Sequence, residues 1–229
     1  MSARKLITAS VSNIKIADRE RFYKDAEKYW ETIPATVDGM LGGLEVLSNA
    51  DCEYSIKIIE KYQKSAKTAL DVGAGIGRVT KNVLLTKYNQ TDMLEVDQKF
   101  LDEAPVYLGD QLKSRVPKMY CCGMQDFKFE KQYDCIWIQW CIGHLTDADA
   151  IEFLLACKNN LSKDGFIVIK DNLTSIEESV LDEEDSSVTR ATQDLLNLVE
   201  VSGLKVIEKS FQSNWPVQGL YPVICLVLS

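Results

Sequence analysis

Short apolar runs alternate with stretches of helical periodicity from Lys67 to the end of the chain. Five runs predict buried strands, at 68–72, 91–96, 118–122, 133–138 and 165–170. The intervening segments predict four helices. The first ends near 87, and the other three span about 98–113, 147–160 and 187–202. Strands that alternate with helices are typical of βαβ units, so we expect a mostly parallel sheet.

The chain ends with two further apolar runs, at 204–209 and 221–228, with no clear helix between them. They predict an antiparallel hairpin at one edge of the sheet, which brings the expected strand number to seven. Gly203 is placed to end the helix before them. Asp185, Ser186 and Ser187 are candidates for the N-cap of that same helix.

A helical extension precedes the alternating pattern. Asp18 is a candidate N-cap for a helix that runs to about Trp30 and is stopped by Pro34. A second helix is expected at 51–63. We therefore divide the chain into a flexible tail at 1–17 and a single domain at 18–229, whose extension and lid occupy 18–66 and whose core occupies 67–229.

Charge and composition restrict the partners. The 229 residues carry 34 acids and 26 bases, a formal net charge of −8, which disfavours a grip on nucleic acid and favours a basic partner. No apolar run reaches the roughly 18 residues that a membrane span needs. Seven cysteines without a Cys-x-x-Cys pair, and a single histidine, make a metal site improbable. We expect a monomer or a weak dimer.

A glycine-rich loop follows the first predicted strand and opens a helix, Asp71-Val-Gly73-Ala-Gly75-Ile-Gly77-Arg78. Glycines let backbone approach a ligand closely, and such loops lie at the ligand-binding edge of open parallel sheets. Glu95 ends the next strand, where a carboxylate can accept both ribose hydroxyls of an adenosine. The Gly-x-Gly-x-Gly spacing resembles the loop of Rossmann-like class I methyltransferases, which bind S-adenosylmethionine (SAM). Arg78 could then pair with the cofactor carboxylate. A nucleotide oxidoreductase and a structural turn are the alternatives.

The loop after the third strand, 123–127, would cover the adenine in this architecture. The backbone amides of Met124 and Gln125, with the side chain of Gln125, are candidates for the adenine edge. A solvated turn is the alternative interpretation of this loop.

The segment after the fourth strand would face the reactive end of the cofactor. It contains Trp140, Cys141 and the only histidine, His144. Its position favours a functional His144 over a structural one, and a thiolate nucleophile formed by Cys141 with His144 is a weaker alternative. The acidic run at 181–190 is either a solvated face or an anionic lip for a substrate.

Several segments taken together resemble the eukaryotic protein N-terminal methyltransferases, which methylate the α-amino group of proteins that begin with Xaa-Pro-Lys or Xaa-Pro-Arg. The resemblance runs from about Tyr23 to the C-terminus. It departs from the family at Glu95, where aspartate is frequent. The segments are 29–30, 37–43, 73–78, 138–140, 143–145, 170–172 and 185–188.

The resemblance implies a role for individual residues. His144 and Asp185 would be the catalytic residues that take the proton of the amine. Segment 39–43 would close as a lid. The expected location is nuclear as well as cytoplasmic, and the nuclear part is implied by the resemblance. Cofactor binding is implied for Gly73, Gly75, Gly77, Arg78, Glu95, Met124, Gln125 and Gln139. Substrate binding is implied for Tyr29, Trp30, Leu41, Trp140, Asn172, Asp182, Ser187 and Tyr221.

Within the substrate set, Asn172 would form a hydrogen bond with the backbone of the first substrate residue. Trp30 and Trp140 would pack against the substrate proline. Asp182 and Asp185 would attract the third-position cation. Two rival functions remain at this point: a small-molecule amine methyltransferase, and a non-catalytic scaffold that binds SAM and Xaa-Pro-Lys tails.

Overall fold

The computed structural model describes residues 11–229 and contains a seven-stranded sheet with the strand order β3-β2-β1-β4-β5-β9-β8. Strands β1 to β5 pair in parallel, whereas β9 pairs antiparallel with both β5 and β8. This confirms the predicted α/β class with an antiparallel C-terminal edge. The strands are β1 (Thr68–Val72), β2 (Gln90–Glu95), β3 (Met119–Cys121), β4 (Tyr133–Gln139), β5 (Leu161–Asn172), β6 (Val180–Asp182), β7 (Ser187–Thr189), β8 (Val206–Gln212) and β9 (Val223–Leu228).

Helices and helical turns connect the strands. The α-helices are α1 (Arg19–Thr32), α2 (Val37–Met40), α3 (Ser48–Tyr62), α4 (Leu85–Lys87), α5 (Gln98–Leu108), α6 (Asp110–Lys113), α7 (Asp147–Asn159) and α8 (Thr192–Val201). A π-helical turn at Thr80–Leu84 leads into α4, and Glu45–Leu47 and Ile142–His144 form 3₁₀ turns. Within residues 11–229, no helix is both long and apolar enough to cross a membrane.

The central strand β4 is buried along its whole length and separates two hydrophobic layers. Ile136 and Ile138 pack on one face with residues of α7 and α8, while Cys135 and Trp137 pack on the other with residues of α3. Alternating side chains on a strand point to opposite faces, so a strand covered on both sides is mostly apolar. This explains why the sequence presented continuous apolar runs here.

The N-terminal extension is anchored to the core. Asp18 caps α1 as predicted, since its side chain accepts a hydrogen bond from the backbone N–H of Arg21. The predicted tail differs in part from the structure, because Ser12 is buried and bonds Asp147 through both its backbone N–H and its hydroxyl. Its residues 1–10 lie outside the described part of the chain.

The prediction of a helix beginning near 187, with its N-cap among Asp185, Ser186 and Ser187, was wrong. Residues 180–182 and 187–189 form the β6–β7 hairpin instead, and α8 begins only at Thr192. Val188 is buried within this hairpin. Burying an alternate apolar side chain in an extended segment therefore prevailed over the helix-capping potential of the polar residues before it.

The predicted helix at 98–113 is interrupted. Helix α5 ends at Leu108, Gly109 follows with φ 79°, and α6 forms a separate turn. A positive φ ends a right-handed helix, and glycine adopts it without steric cost.

Candidate functional site

A cleft of about 1050 Å³ opens at the carboxyl ends of β1, β2 and β4, where the glycine loop, the N-terminal extension and the loop after β4 meet. It brings together ten of the predicted site residues. They are Trp30, Leu41, Gly73, Arg78, Glu95, Met124, Gln125, Gln139, Trp140 and His144.

The glycine loop lies against the floor of this cleft. A Cβ atom on Gly73 would lie 2.7 Å from the Cβ of Cys141, and the residue has φ +66°, so only glycine fits there. Gly75 and Gly77 do not line the cleft themselves but shape the loop. The thioether of Met40 rests on Gly75 and accepts a hydrogen bond from the backbone N–H of Ile76 at 3.3 Å. The lid segment is thus in contact with the loop.

Glu95 is buried at the end of β2, and burial raises its pKa. Its Oε2 accepts the N–H of Gly75 at 2.8 Å, while its Oε1 accepts those of Val96 and Asp97 at 2.8 and 3.2 Å. A carboxylate has about four acceptor sites, so capacity remains for a ribose hydroxyl. The side chain therefore fits an adenosine ligand although it is longer than aspartate.

Arg78 makes a contact that the sequence did not indicate. Its Nη1 donates to Oδ2 of Asp51 on α3 at 2.8 Å, and both side chains are almost wholly buried. Gln139 donates to the same carboxylate at 2.9 Å. Arg78 still borders the cleft, and its guanidinium lies over the ring of Trp140 at 5.5 Å.

The turn after β3 borders the cleft. Met124 and Gln125 line it, together with Gly123 and Cys122. The amide of Gln125 donates to Asp126 at 3.1 Å. Both residues that were expected to cover the adenine therefore lie at the cleft, and the adenine contact stays a prediction.

Trp30 and His144 meet at the cleft. The indole Nε1 of Trp30 donates to Nε2 of His144 at 3.0 Å, and the other ring nitrogen, Nδ1, lies 3.3 Å from the carbonyl oxygen of Ser186. This arrangement fits a neutral imidazole with its proton on Nδ1. Burial lowers the pKa of His144, and the charge of Asp185 opposes that shift. Tyr29 packs edge-on against Trp30 with ring centroids 5.5 Å apart.

The β6–β7 hairpin carries Asp182, Asp185 and Ser187 beside the cleft rather than on its wall. Ser186, at its turn, has φ 52° and presents its carbonyl to His144. Oδ1 of Asp185 is buried without a hydrogen-bond partner among the described residues. Oδ1 of Asp182 accepts the N–H of Glu184 at 2.9 Å.

Two predicted substrate residues lie away from the cleft. Asn172 ends β5, pairs with Val223 of β9 and borders a separate small cavity with Gly143. Tyr221 precedes β9 and is 58% exposed. Asp171, next to Asn172, is partly buried, and desolvation of its carboxyl raises its pKa to about 7.

Cys141 does not form the alternative nucleophile. Its thiol is buried, donates to the carbonyl oxygen of Val72 at 3.3 Å, and has a pKa raised well above its ordinary value by burial. His144 is engaged by Trp30 and Ser186 instead. Between Val11 and Ser229, no three His, Cys, Asp or Glu side chains are arranged to hold a metal ion.

Three residues near the cleft were missed by sequence reasoning. Asp51 has a recognisable signal, because Asp51, Ser55 and buried Ile59 follow one face of α3 at intervals of four. Lys170 had no comparable signal within β5. Trp215 lies in the loop before β9, with its ring 6.5 Å from that of Trp140.

Comparisons with known proteins agree with this geometry. The sequence model of the AdoMet-dependent proline di-methyltransferase family matches residues 18–229. A Danio rerio protein named N-terminal Xaa-Pro-Lys N-methyltransferase 1 is 46% identical over 220 residues, which are 93% of this chain and 97% of that protein. A Bos taurus protein of the same name is 45% identical with the same coverage.

Two solved methyltransferase structures are similar to this chain. A SAM-dependent methyltransferase of Leishmania major is 35% identical with a TM-score of 0.84, and the match covers 100% of this chain and 91% of that one. Burkholderia thailandensis 1,6-didemethyltoxoflavin-N1-methyltransferase, at 14% identity and a TM-score of 0.75, shares the fold over 95% of this chain and 92% of its own. This chain therefore belongs to the AdoMet-dependent proline di-methyltransferase family and is a SAM-dependent methyltransferase.

Proposed function

We propose that this protein transfers methyl groups from SAM to the α-amino group of proteins whose exposed N-terminus reads Xaa-Pro-Lys or Xaa-Pro-Arg. The names of the Danio rerio and Bos taurus relatives support the substrate class. The observation that carries the proposal is the hydrogen bond between Trp30 and His144, because it brings an aromatic side chain and a titratable group together in the cleft that the glycine loop also lines.

In this proposal the cofactor end of the cleft is formed by the glycine loop with Arg78, Glu95 and the Met124–Gln125 turn. Arg78 would bind the cofactor carboxylate, Glu95 would accept from the ribose, and the turn would cover the adenine. When bound, SAM would supply a methyl group on a sulfonium, which an amine with a free lone pair can accept while S-adenosylhomocysteine leaves as the thioether.

The amine must first lose a proton. A free α-amino group has a pKa of about 7.7–8.0, so most of it is protonated at pH 7. Nε2 of His144 already accepts the Trp30 N–H, so it can take a proton only after that bond breaks. Asp185 keeps an oxygen without a hydrogen-bond partner among the described residues. We therefore assign the first contact with the substrate ammonium to Asp185 and the later proton transfer to His144.

Recognition of the following residues would use the walls of the cleft. Trp30, Trp140 and Leu41 border it and offer apolar surface to a proline ring. Asp182 and Asp185 give the neighbouring hairpin a negative charge, which suits the cation at the third position. Asn172 and Tyr221 lie outside the cleft, so their predicted contacts require the bound peptide to extend beyond it.

Mass spectrometry of a Ser-Pro-Lys peptide incubated with the protein and SAM tests the proposal directly. We expect mass increments of whole methyl groups on the N-terminal nitrogen, and much lower turnover of a Ser-Pro-Gln peptide. An N-terminally acetylated Ser-Pro-Lys peptide is the matched control, because it retains the lysine and lacks the free amine.

The outcomes separate the rival functions. Methylation of the acetylated peptide would move the reaction to the lysine side chain and would refute the proposal. Turnover of small amines with no peptide turnover would assign the protein to small-molecule methylation. Binding of SAM and peptide without any product would identify the protein as a non-catalytic scaffold.

A further inference from the structure

A group of buried polar side chains lies behind the wall of the cleft and centres on the Asp51 carboxylate. Lys170 donates to its Oδ1, Arg78 donates to its Oδ2 at 2.8 Å, and Gln139 donates to both oxygens at 2.9 Å. Nζ of Lys170 also donates to the hydroxyl of Ser55 at 3.0 Å. We refer to these five residues as the Asp51 cluster.

The Asp51 cluster joins separate parts of the fold. Asp51 and Ser55 belong to α3, Gln139 ends β4, Lys170 lies near the end of β5, and Arg78 follows the glycine loop. Asp51 and Lys170 are 0% exposed, and Arg78 is 4% exposed. Arg78 and Gln139 border the cleft, whereas Asp51 and Lys170 do not.

The charges in this cluster do not cancel. Arg78 and Lys170 contribute two positive charges and Asp51 contributes one negative charge, so one positive charge remains. Removing Lys170 would leave Arg78 fully compensated by Asp51. An uncompensated buried charge is costly unless a partner of opposite sign is supplied. A ligand carboxylate that reaches Arg78 would supply that partner.

Asp51 and two aromatic rings stabilise the ammonium of Lys170 against the effect of burial. Its ammonium lies over the ring of Tyr54 at 5.0 Å and over the ring of Trp215 at 5.9 Å. Aromatic faces stabilise cations. Burial lowers the pKa of Lys170 and Asp51 opposes that shift, while Lys170 and Arg78 overcome burial to hold the pKa of Asp51 below its ordinary value.

Two other acids face Arg78 or the cleft and must be included in this balance. Burial raises the pKa of Asp71 to about 7, so this group carries only part of its charge near neutrality. The charge of Glu95 is stabilised by three backbone N–H groups. Neither acid accepts a hydrogen bond from Arg78. The carboxylate to which Arg78 donates is that of Asp51.

We propose that Lys170 is a positioning residue for the cofactor carboxylate: it neutralises Asp51, which leaves the charge of Arg78 available to that carboxylate. The inference rests on the proposed role of Arg78 in the cofactor site. Lys170 itself touches neither cofactor nor substrate.

Isothermal titration with two ligands tests this inference without turnover. S-Adenosylhomocysteine carries the amino-acid carboxylate, and 5′-methylthioadenosine has the same nucleoside and thioether but lacks it. We expect Lys170→Met to weaken S-adenosylhomocysteine binding about tenfold, as the removal of one nearby charge at low effective dielectric implies. Binding of 5′-methylthioadenosine should stay unchanged, which also shows that the cleft is folded.

The double variant Asp51→Asn with Lys170→Met provides the matched control, because it restores one net positive charge. It should recover the wild-type preference for S-adenosylhomocysteine over 5′-methylthioadenosine. If Lys170→Met does not fold, the double variant is compared with wild type, and loss of the preference overturns the inference. Equal weakening of both ligands by Lys170→Met also overturns it.

Arg78→Met distinguishes the proposed role of Arg78 from that of Lys170. If this variant weakens both ligands equally, the proposed role of Arg78 fails and Lys170 fails with it. If it weakens only S-adenosylhomocysteine while Lys170→Met weakens neither, the role of Arg78 stands and only the inference about Lys170 is wrong.

Discussion

The ammonium of Lys99, in the first turn of α5, donates a hydrogen bond to the backbone oxygen of Trp30 at 2.8 Å. It also bonds the carbonyl oxygens of Glu31 and Ile33, at 2.9 and 2.8 Å. The last carbonyls of a helix have no partner within it, and a cation there also complements the helix dipole. Lys99 therefore fixes the end of α1 that carries the Trp30 indole.

Lys99→Met should release this end of α1. We expect a loss of about 1–2 kcal/mol in the free energy of unfolding, since bonds from a charged donor are replaced by partly hydrated carbonyls. The KM for a Ser-Pro-Lys peptide should rise several-fold while the Kd for SAM stays unchanged. Lys113→Met is the matched control, because the only ion pair that Lys113 forms within residues 11–229 is with exposed Asp110. Equal KM values for the two variants would contradict this role.

His144 should titrate below the ordinary histidine value of 6.5, because burial lowers its pKa. The chain has one histidine, so its NMR signals need no assignment among several rings. A lowered folded-state pKa means that the stability contributed by the neutral ring is present above about 6.5 and is lost as the pH falls through the folded value.

Trp30→Phe should raise the pKa of His144 toward 6.5, because the indole N–H that favours the neutral ring is removed. Trp140→Phe is the control, since the Trp140 N–H is buried without a hydrogen-bond partner among the described residues. The two variants are compared by NMR titration. A titration curve that does not move in Trp30→Phe would refute the neutral tautomer assigned here.

The sheet could be predicted from the sequence because most of its strands contain a short apolar run and helices separate most of its parallel strands. All seven strands of the main sheet were expected close to their observed positions. The β6–β7 hairpin was missed because each of its strands has only three residues. Acidic residues at its turn suit a helix cap as well as they suit a turn, so only the burial of Val188 decides between them.

It could also be predicted that residues after β1, β2 and β3 line one cleft, because each of them follows the end of a parallel strand. The Asp51 cluster could not, since Lys170 and Asp51 are 119 positions apart in the chain. Lys170 looked like the polar end of a strand, and nothing local indicated a buried partner. Long-range ion pairs of this kind become visible only when the packing of α3 on the sheet is known.

Asp185→Asn should weaken binding of a Ser-Pro-Lys peptide about fivefold, since one partly exposed charge pair is worth about 1 kcal/mol. It should also lower the pKa of His144 further, because the Asp185 charge opposes the effect of burial. Asp182→Asn should weaken peptide binding without changing the pKa of His144. Glu183→Gln, an exposed acid between them, is the control. Fluorescence anisotropy measures peptide binding. Asp185→Asn should also weaken binding of Ser-Pro-Gln, because both peptides carry the α-ammonium. Equal losses for the two peptides in Asp182→Asn would refute the assignment of Asp182 to the third-position cation.

Gly73→Ala should abolish SAM binding and lower the free energy of unfolding by about 2–4 kcal/mol, because a positive φ and a steric clash add. The added Cβ would lie 2.7 Å from the Cβ of Cys141. Gly42→Ala separates the two contributions, since Gly42 has φ +59° and no atom within 4 Å of an added Cβ. It should cost only the roughly 1–2 kcal/mol of backbone strain and leave SAM binding intact. Chemical denaturation and calorimetric titration give both quantities. If the two variants lose equal stability, the contact with Cys141 does not constrain the loop and the requirement for glycine at position 73 comes from backbone conformation alone.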